Sequence, residues 1–150
     1  MVRRFKPEDS EGVKDLVLSI LTKEYPFDKN AYADSDIYSI SETYSGGRNA
    51  FFVFEKNKKI VGTVGIKCDS DKTALLRRLF VAPEQRRKGI GSSLVEAAVG
   101  FCRDNGYKEI VFRATDRMNN AMKLIGKHGF ILREKLEIGG FHIQVSRLKI

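Results

Sequence analysis

Apolar residues recur along this chain at two spacings, and these spacings predict its helices and strands. From Val13 to Leu21 they follow the helical period, which predicts an amphipathic helix over about 10–24. Asp9 or Ser10 is the expected cap of this helix. Three more helices are predicted: Asp36–Tyr44 with Asp36 as a candidate cap, Gly91–Asn105, and Asn119–Lys127.

Short runs rich in Val, Ile and Phe predict the strands. They lie at Val2–Lys6, Ala50–Glu55, Ile60–Cys68, Thr73–Val81, Glu109–Ala114, Phe130–Leu136 and Phe141–Leu148. Polar turns join the second, third and fourth strands, which predicts an antiparallel meander, and Gly139-Gly140 predicts a closing hairpin. The fifth strand follows a helical crossover and should lie parallel to the fourth.

The order of these elements is strand, two helices, three strands, helix, strand, helix and two strands. It predicts a mixed sheet with helices packed on it, an α/β fold of the α+β kind. No linker or repeat divides the chain, so we expect one domain over residues 1–150.

The composition is that of a globular domain with an excess of positive charge. The 150 residues include 27 Lys and Arg against 19 Asp and Glu, a net charge of +8. No apolar run approaches the roughly twenty residues that span a bilayer, and the first residues lack a signal-peptide core. We therefore expect a cytoplasmic protein without a membrane partner, in which the charge favours anionic ligands.

Cysteine and histidine usage gives no sign of a metal site or a disulfide framework. Cys68 and Cys102 are the only cysteines, and their spacing fits neither use. Both are expected to be small core residues rather than nucleophiles. The two histidines stand apart from other ligand types, so we expect no metal.

The most informative stretch joins the fourth strand to the third helix and reads LFVAPEQRRKGIGSSLV. A helix N-terminus carries unpaired N–H groups and a partial positive charge, so three consecutive cations there are unfavourable unless an anion binds. Gly89 and Gly91 also leave the backbone accessible to a ligand. The pattern therefore predicts a bound phosphate or pyrophosphate.

Three other interpretations of this stretch fit less well. A dinucleotide-binding fingerprint requires a third glycine where Leu94 stands, and an acidic residue about twenty positions later, where Ile110–Phe112 are apolar. A P-loop requires a Gly-Lys-Ser/Thr ending, which the chain lacks. A plain tight turn with solvated cations explains neither the preceding strand nor the amphipathic helix that follows.

The strand, the Pro-Glu pair, the basic turn and the glycines together resemble the acyl-CoA-binding motif of the GNAT family of N-acetyltransferases. The family pattern Arg/Gln-x-x-Gly-x-Gly/Ala is met by Arg86–Gly91. The resemblance implies that the fourth and fifth strands splay apart, with CoA in the gap and the acceptor amine approaching from the other side. It also implies that the backbone N–H groups of Arg86–Ser92 hold the pyrophosphate. The Leu79–Val81 backbone would pair with the pantetheine arm, and an N–H near Phe80 or Val81 would face the thioester oxygen.

The family often carries an Asn shortly before the fourth helix, where this chain has Met118. Asn119 and Asn120 follow directly and are candidates for the same contact with pantetheine. The residues that the resemblance assigns to the cofactor are therefore Leu79, Phe80, Val81, Arg86, Arg87, Lys88, Gly89, Ile90, Gly91, Ser92, Asn119 and Asn120.

The chain departs from the family at the catalytic positions. The family often has a Tyr that protonates the leaving thiolate and a Glu that acts as general base, and these positions hold Ile125 and Leu75. Three interpretations stay open. Protons move through ordered water, or another side chain substitutes, with His128 as the candidate, or the protein binds acyl-CoA with little catalysis.

The segment expected to face the acceptor carries both aromatic and acidic residues. Tyr25, Phe27, Tyr32 and Tyr38 would form an aromatic wall, and Glu24, Asp28, Asp34 and Asp36 would attract a cationic amine. A solvated loop explains each acidic residue equally well.

The main hypothesis is an N-acetyltransferase that uses acetyl-CoA to acetylate a primary amine, on a small molecule or a protein, by direct attack in a ternary complex. The alternative is an acyl-CoA-binding or sensing module with little catalysis. A nucleic-acid-binding domain rests on the +8 charge alone and lacks a recognisable motif. The expected partners are acetyl-CoA and an amine, and a homodimer is an assembly that the sequence allows.

Overall fold

A seven-stranded sheet carries helices on both of its faces. The computed structural model describes residues 1–27 and 35–150. The strands are β1 (Val2–Arg4), β2 (Ala50–Lys56), β3 (Lys59–Cys68), β4 (Thr73–Val81), β5 (Glu109–Thr115), β6 (Ile131–Ile138) and β7 (Phe141–Lys149). The helices are α1 (Ser10–Glu24), α2 (Ile40–Thr43), α3 (Ile90–Asp104) and α4 (Asn119–Lys127).

The strands lie in the order β1-β2-β3-β4-β5-β7-β6. Neighbouring strands are antiparallel except β4 and β5, which are parallel because α3 carries the chain back across the sheet between them. The predicted mixed sheet, the meander β2-β3-β4 and the closing hairpin β6-β7 are confirmed. Most predicted strand bounds agree with the structure within two residues.

The pairing of β4 with β5 stops halfway along both strands. Residues Thr73–Leu76 pair with Glu109–Phe112, and beyond them β4 runs to Val81 and β5 to Thr115 without pairing to each other. β5 stays paired with β7 along its whole length, so the sheet divides between β4 and β5. The splayed strands expected from the sequence resemblance are therefore present.

A bulge in β4 accompanies this divergence. Thr63 of β3 pairs with Phe80, whereas Gly65 pairs with Arg77, so β4 has one residue more than β3 in this interval. Arg78 has a φ of +55°, in the left-handed region, and the Thr63 hydroxyl donates to its carbonyl at 2.7 Å. A bulge bends its strand locally, and this one lies directly after the last residue of β4 that pairs with β5.

The two faces of the sheet are covered by different helices. α3 packs on β2, β3 and β4, and its Ile90 and Leu94 side chains lie directly over Gly62. Three residues along β3, Gly65 lies under Tyr44 at the end of α2, on the opposite face because strand side chains alternate. α1 contacts the 3-10 turn that precedes α2 and therefore covers the same face as α2.

The predicted helix over Asp36–Tyr44 is wrong in extent and in its cap. Only Ile40–Thr43 is α-helical, after a short 3-10 turn. The Asp36 carboxylate accepts hydrogen bonds from Arg78 and Tyr44 inside the protein instead of capping a helix. A buried carboxylate requires a charged partner, so Asp36 bonds to the distant Arg78 and does not cap the helix.

The cap of α1 lies where the sequence predicts it, but its side chain acts elsewhere. Asp9 is the N-cap residue, and its carboxylate accepts two hydrogen bonds from Arg3 and one from the Lys6 N–H rather than any from α1. The Arg3 hydrogen bonds hold the pKa of Asp9 below its usual value. In the two described segments, no helix has the length and apolar character needed to cross a membrane.

Candidate active site

The turn from β4 into α3 keeps a row of backbone N–H groups without acceptors. Arg87 and Gly89 have φ angles of +64° and +81°, both in the left-handed region that glycine adopts at little cost. Within residues 1–27 and 35–150, no acceptor receives the N–H groups of residues 87–92. Adjacent unused donors at the start of a fifteen-residue helix give a concentrated positive potential that suits an anion.

The two glycines of this turn have different structural roles. A Cβ on Gly89 would meet no described atom within 4 Å, so the surface above Gly89 is open. A Cβ on Gly91 would lie 2.6 Å from Leu124 Cδ2 of α4, which is too close for a real side chain. Gly91 thus allows α4 to pack against α3, whereas Gly89 adopts the left-handed conformation and leaves the surface of the turn uncovered.

The three cations of the turn also differ. Arg86 Nη1 and Nη2 donate to the two carboxylate oxygens of Glu24 at 2.6 and 2.8 Å, and Arg86 Nε donates to the Val81 carbonyl at 3.0 Å. The hydrogen bond to Glu24 raises the pKa of Arg86. Arg87 and Lys88 are exposed. Arg86 therefore ties the end of α1 to the end of β4, and the other two carry the accessible charge.

The diverging strands β4 and β5 enclose a cavity of about 620 Å³. Its other walls are the start of α4 and the β6-β7 hairpin. The described lining is apolar apart from Arg77, Arg78 and Arg113, and it includes no Asp, Glu, His, Tyr or Cys. The cavity therefore combines an apolar wall with a cluster of positive charge.

A buried ion pair fixes the bulge at the edge of this cavity. Arg78 and Asp36 are 7% and 6% exposed, and Arg78 Nε donates to Asp36 Oδ2 at 3.1 Å while its Nη2 contacts Oδ1. Tyr44 Oη donates to the same Oδ2 at 2.8 Å. Burial alone would raise the pKa of Asp36, but the hydrogen bond and charge of Arg78 outweigh it and hold the pKa below its usual value. Burial and the Asp36 charge raise the pKa of Tyr44.

The sequence profile of the Acetyltransferase (GNAT) family matches residues 14–130. The match covers well over half of the chain and includes both the turn and the diverging strands. The chain belongs to the GNAT acetyltransferase family.

Curated GNAT relatives share a limited part of their length with this chain. N-acetyltransferase 8 of Homo sapiens is 35% identical over 102 residues, which is 64% of this chain and 45% of that protein. N-acetyltransferase family 8 member 3 of Rattus norvegicus is 31% identical over 142 residues, 89% of this chain and 60% of that protein. The chain thus spans about half the length of these curated relatives.

Solved structures share the fold over its whole extent. An acetyltransferase of the GNAT family from Staphylococcus aureus Mu50 superposes with a TM-score of 0.84 and 19% identity, covering 99% of each chain. The structure of yncA from Salmonella typhimurium with its cofactor acetyl-CoA has a TM-score of 0.82 and 15% identity, covering 99% of this chain and 92% of that one. At these identities the likeness concerns the GNAT fold alone.

The two positions that the sequence resemblance assigns to the acid and the base hold apolar side chains. Leu75 lines the cavity, and Ile125 in α4 is 1% exposed. His128, the candidate substitute, lies at the end of α4 with its Nε2 3.1 Å from the Ser92 hydroxyl, and it is not part of the cavity lining. The structure thus places His128 beside the turn rather than beside the diverging strands.

The other residues assigned to the cofactor fall into two groups. Leu79 and Phe80 are buried and line the cavity, and half-buried Val81 follows at the end of β4. Asn119 and Asn120 are exposed at the start of α4, and Asn119 lines a separate cavity of about 390 Å³ beside the β6-β7 hairpin.

The acidic and aromatic residues expected at the acceptor side are mostly engaged elsewhere. Glu24 is paired with Arg86, and Asp36 is buried against Arg78. Tyr25 packs against the core, whereas Phe27 and Tyr38 are 78% and 62% exposed. The remaining candidates, Asp28, Tyr32 and Asp34, lie outside the described residues.

The cysteines agree with their expected structural role in part. Cys102 is fully buried within α3, and burial raises the pKa of its thiol to about 12. Cys68 is half-buried at the end of β3, where its thiol donates to the Ser70 carbonyl at 3.3 Å. Across the described parts of the chain, no three His, Cys, Asp or Glu side chains come close enough to hold a metal ion.

Sequence reasoning missed the arginines of the cavity. Arg77 and Arg78 interrupt the apolar run LLRRLF of β4, and Arg113 interrupts EIVFRAT of β5. Arginine is rarely placed in a buried strand without a partner. Charges inside otherwise apolar strands were therefore the available signal, although only the fold reveals that these strands face each other.

Proposed function

We propose that this protein transfers the acetyl group of acetyl-CoA to a primary amine by direct attack in a ternary complex. The observation that carries this proposal is the combination of an anion-accepting turn with an open gap between β4 and β5 at the end of the same strand. A single extended cofactor with a pyrophosphate at one end and a thioester at the other fits both features.

The residues present fit acetyl-CoA in a specific way. The N–H groups of residues 87–92 would hold the pyrophosphate, assisted by the exposed side chains of Arg87 and Lys88. Arg86 contributes less than its place in the motif implies, because its N–H donates to the Pro83 carbonyl at 3.4 Å and its guanidinium is held by Glu24. The edge of β4 at Leu79–Val81 faces the gap without a strand partner, which suits an added backbone-like chain such as pantetheine.

The reaction that the gap would support is a simple displacement. The amine nitrogen attacks the thioester carbonyl carbon, a C–N bond forms, the C–S bond breaks and CoA leaves as a thiolate. The amine loses one proton to water, and a proton from water neutralises the thiolate. A backbone N–H near Phe80 or Val81 would stabilise the oxygen that gains charge during the attack.

The cavity lining suggests how the amine becomes reactive. No described lining residue is a usual proton acceptor, but Arg77 and Arg113 place positive charge beside the acceptor. Like charges disfavour an ammonium ion, so these arginines lower the pKa of a bound amine and favour its neutral, nucleophilic form. Water in the open gap would then be sufficient to take up the proton.

The alternative, an acyl-CoA-binding module with little catalysis, is favoured by Leu75 and Ile125. Two measurements separate the proposals. Calorimetric titration with acetyl-CoA, with CoA and ATP as controls, tests the site, and release of free thiol in the presence of amines tests transfer. Saturable binding with steady thiol release supports the enzyme, and binding without release supports the module.

Gly89→Glu tests the placement of the pyrophosphate. The new carboxylate would face the phosphate charge, and we expect the Kd for acetyl-CoA to rise about 100-fold or more, because two charges about 4 Å apart near a protein surface interact by several kcal/mol. Gly106→Glu is the matched control. Gly106 has a φ of +78° and is equally open, but it lies at the other end of α3. Equal affinity of a folded Gly89→Glu variant and its control would contradict the assignment.

A further inference from the structure

We propose that the acceptor is a small primary amine that carries a carboxylate and an apolar substituent, as an apolar α-amino acid does. This inference rests on the proposed function, since it names the class of acceptor for the same gap. The geometry that carries it is an arginine pair, Arg77 and Arg113, in which each residue directly follows the last paired residue of its strand and lines the same cavity beside an apolar wall.

The arginine pair follows from strand register. The last paired residues of the two strands are Leu76 and Phe112, so Arg77 and Arg113 are the first residues on each side of the split. Both line the cavity. A carboxylate bound in this cavity would gain charge-assisted hydrogen bonds from these guanidinium groups.

The arginine pair belongs to the acceptor face of the sheet. Arg77 Nη2 lies 3.7 Å from Asp36 Oδ2, and Asp36 precedes α2, so Arg77 lies on the face covered by α1 and α2. Leu75, two residues before Arg77, pairs with Val111, two residues before Arg113, and Ile143 pairs with Thr115, two residues after it. Since side chains alternate along a strand, Arg113 lies on the face away from α3. The pyrophosphate turn begins α3, so the arginine pair does not serve the cofactor phosphates.

The charge around the arginine pair is not balanced by the described part of the protein. Asp36 is the one carboxylate near Arg77, and Asp36 is already bound by Arg78 and Tyr44. Arg113 is exposed and forms no ion pair with a described carboxylate. Among the described residues, the cavity lining thus contains three arginines and no carboxylate, which favours an anionic group on the incoming amine and disfavours a polycation.

The apolar part of the acceptor is indicated by the wall beside the arginine pair. Val111, Phe141 and Ile143 line the cavity on this face, and Ile138 at the end of β6 lines it while 57% exposed. Such surface gains from contact with an apolar group. The cavity thus offers two guanidinium groups for a carboxylate and a hydrophobic surface for an apolar substituent.

The first test measures binding of matched acetylated products to the protein saturated with CoA. N-acetyl-L-phenylalanine and N-acetyl-L-phenylalaninamide differ in charge and have no titrating amine, and N-acetylglycine lacks the apolar substituent. We expect N-acetyl-L-phenylalanine to bind about tenfold or more tightly than either of the others. Equal or tighter binding of the amide overturns the proposal for the carboxylate, and equal binding of N-acetylglycine overturns it for the apolar wall.

The second test assigns the effect to the arginine pair. Arg113→Gln should reduce the preference for N-acetyl-L-phenylalanine over its amide about tenfold, whereas Arg103→Gln, an exposed arginine near the end of α3, should keep it. A preference that survives in Arg113→Gln contradicts the assignment.

Thiol release with L-phenylalanine, its amide and L-lysine separates a failure of the proposed acetyl transfer from a failure of the proposed acceptor class. Product binding without any thiol release refutes transfer alone, and thiol release that favours L-lysine refutes the acceptor class alone.

Discussion

The turn and the cavity both concentrate positive charge, but they are built in opposite ways. The turn uses consecutive residues, 82–92, and offers mainly backbone N–H groups and side chains that reach solvent. The cavity uses side chains from β4, β5, the start of α4 and the β6-β7 hairpin, and its inner arginine is locked by a buried acid. This difference suits the proposed roles, since local backbone recognition fits a cofactor common to a whole family, and side chains that a fold brings together fit selection among acceptors.

The largest predicted effect on stability comes from breaking the buried ion pair of Arg78 and Asp36, which belongs to the cavity and has no counterpart in the turn. Arg78→Met leaves the Asp36 charge buried without its main partner, and we expect a loss of about 3–5 kcal/mol in the free energy of unfolding. Arg77→Met removes only the 3.7 Å contact of a partly exposed group and should cost less than about 1 kcal/mol. Urea denaturation of both variants measures the difference. Similar small losses would mean that the bulge does not depend on this ion pair.

The packing of α4 against the turn gives a smaller predicted effect. Gly91→Ala places a methyl group against Leu124, and overpacking of this kind costs about 1–3 kcal/mol. Leu124 can shift at its flexible end, so we expect the lower part of that range. A double-mutant cycle with Leu124→Ala isolates the clash, and we expect a coupling of about 1 kcal/mol. Strict additivity of the two substitutions in thermal or urea unfolding would refute the role assigned to Gly91.

The smallest predicted effect separates two adjacent arginines of the turn. Arg86→Gln removes a partly exposed ion pair with Glu24 and should lower the free energy of unfolding by about 0.5–1 kcal/mol. Arg87→Gln should change stability by less than about 0.5 kcal/mol, because no described carboxylate pairs with Arg87. For acetyl-CoA affinity we expect the reverse order, with the larger loss in Arg87→Gln. Calorimetry and urea denaturation of both variants test this reversal, and the same rank order in both measurements would argue against it.

The strands and the glycine-containing turn were predictable because their signals are local. Period-two and period-3.6 patterns reflect which side chains face the core, and these patterns placed β2 to β5 and α3 nearly as the structure has them. The second helix was mispredicted because Asp36 resembles a cap in sequence, whereas its partner Arg78 is 42 residues away. Local propensity could not reveal a bond of that range.

Local sequence patterns were equally unable to reveal the long-range contacts of the turn and the cavity. Two glycines two positions apart suggested one purpose, but Leu124 on another helix gives Gly91 a packing role. Three consecutive cations suggested one function, but Glu24, 62 residues earlier, engages Arg86. Leu75 and His128 were both considered for the chemistry, and only the fold separates them, with Leu75 in the cavity lining and His128 beside Ser92.

The sequence by itself determined the order of elements, the meander, the parallel crossover and the glycine-containing turn, because each depends on residues close together in the chain. The tertiary structure decided which charges meet. It paired Arg78 with Asp36 and Arg86 with Glu24, and it placed Arg77 and Arg113 in the lining of the same cavity. Electrostatic partners are chosen by distance in space, and that distance is fixed only when the sheet register and the bulge in β4 are formed.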